Sequence, residues 1–135
     1  MRKIDLVSDF QKKTFVQIRE AYFRERNESG ELVFEVEFWS SYFTLILDLF
    51  YPDYRELPIE STIHKYHSSN QYDEDTWGDE NNGEVEIDRL EEFYGHMKSI
   101  VLPESLGAQE VYNAIIEICE SAIKNKNKLY FIADY

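Results

Sequence analysis

Between residues 31 and 38 the chain alternates. Leu32, Phe34, Val36 and Phe38 are apolar, and Glu31, Val33, Glu35 and Glu37 stand between them. A period of two with mostly charged residues on one side predicts a half-buried strand. Upstream, Phe10, Thr14, Ile18 and Ala21/Tyr22 recur at helical spacing with Phe15 beside them, and Ser8 and Gln11 suit an N-cap and its capping-box partner. Lys12, Lys13, Arg19, Arg24 and Arg26 fall largely on the other faces. This pattern predicts an amphipathic helix ending near Asn27–Gly30, where glycine suits a C-terminal cap. Val16, Ile18 and Tyr22 also alternate, and that set reads as a strand.

After Ser40 and Ser41 the apolar residues become continuous through Tyr42, Phe43, Leu45, Ile46, Leu47, Leu49 and Phe50, and stop at Pro52. Length and the serines favour a buried helix, although periodicity alone admits a strand. Residues 52–83 carry Pro52, Pro58, a Ser-Ser-Asn cluster and Asn81-Asn82-Gly83, the marks of a loop-rich region. A short strand at Glu84–Ile87 follows that turn. Leu90, Phe93/Tyr94, Met97 and Ile100/Val101 predict a helix opened by Asp88, with Pro103 just beyond its end. Val111, Ala114/Ile115, Ile118/Cys119 and Ala122 predict a last helix, begun at Ser105 or Gly107. Lys124, Lys126 and Lys128 at its C-terminal end complement the macrodipole. Lys128 to Tyr135 closes the chain as a strand. The fold predicted is α+β: one compact domain over residues 1–135, with about four helices packed on a small, mostly antiparallel sheet and an acidic, loop-rich segment at about 52–83.

Composition narrows the function. A chain of 135 residues is one domain, and 43% apolar with 16% aromatic residues excludes disorder of the whole. With 27 acidic and 14 basic side chains the net charge is −13. Phosphate binding needs Lys and Arg to release counterions, so direct nucleic-acid binding is disfavoured, and so is an acidic membrane surface. Cys119 is the single cysteine. It has no partner for an internal disulfide, which favours a reducing compartment. Asp5 and Asp9 interrupt the N-terminus before a signal-peptide core can form. The most apolar stretch, Tyr42 to Tyr51, contains Asp48 and is half the length of a bilayer span. The expected location is cytoplasmic.

The charge is unevenly placed. Residues 1–26 hold seven basic and four acidic side chains. Residues 71–92 hold ten acidic ones (Asp73, Glu74, Asp75, Asp79, Glu80, Glu84, Glu86, Asp88, Glu91 and Glu92) against Arg89 alone. Tyr66, Tyr72, Trp77, Phe93 and Tyr94 are threaded through or beside that run. A solvated acidic loop is the ordinary explanation of such a stretch. Two features favour an interface instead. Crowded carboxylates repel one another until a cation or basic partner offsets them. Trp77, in Asp75-Thr-Trp-Gly-Asp79, belongs to no periodic core pattern, and aromatics bordered by charge have the composition of binding hot spots.

Catalytic and metal chemistry find little support. Placing Asp73 first in a calcium loop puts Gly78 sixth and Glu84 twelfth, but Trp77 stands fifth, where a side-chain oxygen is needed. His64 and His67, with His96, lack a zinc signature and read as surface residues. Cys119 reads as core. No Gly-x-Ser-x-Gly and no phosphate-cradling glycine loop occurs. The sequence therefore predicts no enzyme, no cofactor and no metal.

In general character the chain resembles the small acidic immunity proteins of bacterial contact-dependent growth inhibition and related polymorphic toxin systems. The likeness rests on the acidic segment Gln71–Glu92 with Tyr72 and Trp77, on the lack of catalytic motifs, and on the ending Gln109–Ile118 with its lysine-rich turn and strand. It implies binding and neutralisation of a basic cognate toxin, typically a nuclease, by occlusion of its active-site cleft. The partner-binding set is then Tyr72, Asp73, Glu74, Asp75, Trp77, Asp79, Glu80, Glu84 and Glu86. The alternative is an acidic nucleic-acid mimic that inhibits a DNA-binding or restriction protein. Such a mimic spreads its carboxylates at phosphate-like spacing, whereas here they are concentrated.

Overall fold

A computed structural model describes residues 1–7, 20–39, 42, 43, 45, 46, 49, 84–87, 89–104 and 107–133. Among the described residues five strands are delimited: β1 (Arg2–Asp5), β2 (Glu20–Arg26), β3 (Leu32–Trp39), β4 (Val85–Glu86) and β5 (Lys128–Ala133). Two helices are delimited with them, α1 (Leu90–Ser99) and α2 (Gln109–Asn125). The sheet order is β1-β3-β2-β5-β4. Pairing is antiparallel for β2 with β3, β2 with β5 and β4 with β5, while β1 lies parallel to β3, so the sheet is mixed.

Two expectations are corrected. Residues 20–26, predicted as the end of a helix, are a strand. Ala21, Phe23 and Glu25 alternate with Tyr22, Arg24 and Arg26, and the first set is fully buried. Phe23 sits opposite Val36 on one side and Phe131 on the other, so tertiary pairing overrides a helical spacing that ran through Ile18 and Tyr22. Gly30 does lie where a left-handed residue is needed, at φ +81, but it closes a β2–β3 hairpin and not a helix. Asn27 Oδ1 accepts from the N–H groups of Ser29 and Glu31, which satisfies that turn. The second correction is the count of helices: two are delimited among the described residues, not about four. Helical backbone also occurs at Tyr42, Phe43, Leu45 and Ile46. Residues 8–19 lie outside the described residues.

The strands at residues 32–39, 85–86 and 128–133 and both later helices fall where the patterns place them. Strand β1 has no counterpart in the sequence reading, since four residues with one apolar member carry no period.

One face of the sheet carries the core. Ala21 and Phe23 of β2, Phe34, Val36 and Phe38 of β3, and Leu129 and Phe131 of β5 pack beneath α1 and α2. The helices contribute Phe93 and Met97, and Val111, Ala114, Ile115, Ile118, Cys119 and Ala122. Phe23 is the hub. Its ring centroid lies 5.1 Å from Phe131, 5.4 Å from Phe43, 5.7 Å from Phe38 and 5.9 Å from Phe93. These are stacked, edge and tilted pairs at the spacing aromatic quadrupoles prefer. Helix α2 ends at Lys126, whose left-handed φ of 57 lets its own N–H and that of Asn127 return to the carbonyls of Ile123 and Ala122. That turn feeds directly into β5.

Candidate functional site

The sheet's other face is charged, and strand alternation places the charges. Lys3 of β1 is the register partner of Glu35 of β3, and Glu35 is the partner of Arg24 of β2. Arg24 Nε donates to Glu35 Oε2 at 2.8 Å, and its Nη1 donates to Glu84 Oε1 at 2.9 Å. Arg26 adds a fork, Nε to Glu84 Oε2 at 2.9 Å and Nη2 to Oε1 at 2.7 Å. Lys3 Nζ lies 3.4 Å from Glu35 and 3.6 Å from Glu37. The Arg24 guanidinium also covers the Tyr22 ring at 4.6 Å. Charges of alternating sign thus run from the β1 edge to the chain entering β4.

Glu84 is the focus of this lattice. It precedes β4, yet its carboxylate reaches across β5 to both arginines of β2. The Arg26 fork, assisted by Arg24, holds its pKa below the ordinary carboxylate value against an opposing effect of burial. Glu37, less favoured, has its pKa raised by burial, with Lys3 opposing the rise. Both oxygens of Glu84, a residue of the expected partner-binding set, accept from Arg24 and Arg26 within the fold.

Glu86 differs. Its pairing with Lys128 Nζ is 3.6 Å long, and both side chains are well exposed. A surface pair of this kind contributes ~0–1 kcal/mol and leaves the carboxylate accessible to a competing cation. Glu92 lies 3.0 Å from Arg89 and 3.5 Å from His96. Of the ten acidic residues between 71 and 92, Glu84, Glu86 and Glu92 therefore already have basic partners in the fold. Tyr72, Asp73, Glu74, Asp75, Trp77, Asp79 and Glu80 lie outside the described residues, as do His64 and His67.

One carboxylate carried no signal in the sequence reading. Glu25, on the core face of β2, is 0% exposed. It accepts from Ser121 Oγ at 2.6 Å, Asn127 Nδ2 at 2.6 Å and Asn125 Nδ2 at 3.2 Å. Three neutral donors from the end of α2 and the following turn thus hold a buried acid that has no ion pair among the described residues. Reading residues 20–26 as a strand would have shown a charged residue at an inward position; the helical reading concealed it. Arg2 of β1 reaches over the same helix, pairing with Glu117 and covering the Phe34 ring at 4.5 Å.

Cys119 is 0% exposed, and burial pushes its thiol far above neutrality, so it stays protonated and unreactive. Between the start of α1 and the end of α2 lies an open cleft of about 550 Å³ bordered by Arg89, Leu90, Glu91, Glu92, Ile123 and Lys126. Its cations and anions balance. Among the described residues no helix is long and apolar enough to cross a membrane. No family model, no curated protein and no solved structure matches the chain.

Proposed function

We propose that the protein is an immunity protein, which acts by binding and not by catalysis. On this reading it neutralises a basic cognate toxin in the cytoplasm, a nuclease being the class that best fits, by occluding the toxin's active-site cleft. One observation carries the proposal, the way the fold uses its cations. Among the described residues six of the nine lysines and arginines, Arg2, Lys3, Arg24, Arg26, Arg89 and Lys128, stand in ion pairs with the protein's own carboxylates. Cations engaged in this way do not reduce the net charge of −13, to which Asp73, Glu74, Asp75, Asp79 and Glu80 contribute, and a basic partner would offset it. A basic partner does this with directional pairs, and aromatic anchors beside them slow dissociation.

The proposed binding set is Tyr72, Asp73, Glu74, Asp75, Trp77, Asp79, Glu80, Glu84 and Glu86, of which Glu84 also pairs with Arg24 and Arg26 within the fold. The test is to mix the purified protein with the product of the neighbouring gene, which the proposal requires to be a basic toxin, and to follow complex formation together with loss of toxic activity. Replacing Trp77 with Ala should cost ~2 kcal/mol or more, read as an off-rate about thirty-fold faster. No complex at micromolar concentration refutes the function, and an unchanged off-rate refutes the anchor.

A further inference from the structure

We draw no further inference here: the strongest candidate, the cleft between the start of α1 and the end of α2, where Arg89 Nη2 is buried without an acceptor among the described residues, is a helix N-terminus beside a partly exposed arginine with a charge-balanced lining of Arg89, Lys126, Glu91 and Glu92, and nothing in the structure shows what would fill it.

Discussion

Replacing Glu84 with Gln keeps the shape of the side chain and removes its charge from the grip of Arg24 and Arg26. Three N–H groups donate to this carboxylate, and the side chains involved are 18%, 23% and 29% exposed. Hydrogen bonds to charged groups contribute ~1.5–3 kcal/mol each. The full sum does not apply, because Arg24 keeps Glu35, Arg26 keeps the Gly30 carbonyl, and Gln retains one acceptor oxygen. The expected loss is about 1.5–3 kcal/mol, or roughly 5–15 °C in Tm for a chain of this size. Glu86→Gln, which removes a neighbouring but exposed charge, should cost ~1 kcal/mol or less. The pH dependence has a definite sign. Glu84 is more acidic in the folded state than in the unfolded chain, where a Glu titrates near ~4.3, so its contribution is complete above that pH. It is lost as the pH falls through the lower folded value. Urea denaturation of wild type and Glu84→Gln from about pH 8 to pH 3 should show a constant gap down to about pH 5 that narrows progressively at lower pH. Equal midpoints at neutral pH, or a gap that widens as the pH falls below about 4, would refute the reasoning.

Two further substitutions test the fold around the site. Glu25→Ala leaves the Ser121 and Asn127 donors without their buried acceptor, at ~1–3 kcal/mol for each group left unsatisfied, while the exposed Asn125 keeps Ser121 Oγ; the unfolding free energy from urea denaturation should fall by ~2 kcal/mol or more, with partial recovery in Glu25→Gln, and a loss under ~1 kcal/mol would sink the idea that this cluster anchors α2. Gly95 lies inside α1, exposed, where an added Cβ would meet nothing within 4 Å; Gly95→Ala should stabilise by ~0.5–1 kcal/mol, and a lower melting temperature would contradict the open space seen there.

Legibility in the sequence followed the physics of each segment. Leu32–Trp39 was readable because one face of β3 is buried and the other carries Glu35 and Glu37, so the period of two survives in the residue types. Helix α2 was readable for the same reason at a period near 3.6. Strand β2 was not, because its alternation includes Glu25 inside and Tyr22 outside, which inverts the usual polarity at two of seven positions. The pattern there matches a helix as well as a strand, and only pairing with β3 and β5 decides. At Glu84 the sequence showed a charge but not its use. The arginines that hold it lie 58 and 60 residues upstream, and nothing local signals a contact across β5.

The central claim is that carboxylates concentrated around Asp73–Glu80 steer a basic partner. Its most direct test is the association rate of the protein with a basic toxin captured by the mixing experiment proposed above, measured by stopped flow as NaCl rises from about 50 to 500 mM. Screening shortens the reach of these charges from about 14 Å to about 4 Å over that range. A steered rate approaching ~10⁸ M⁻¹s⁻¹ at low salt should fall toward the ~10⁵–10⁶ of an unsteered encounter. The triple variant Asp73→Asn, Glu74→Gln, Asp75→Asn should start slower and fall less. An association rate indifferent to salt, or equally salt-dependent in the triple variant, would contradict the account.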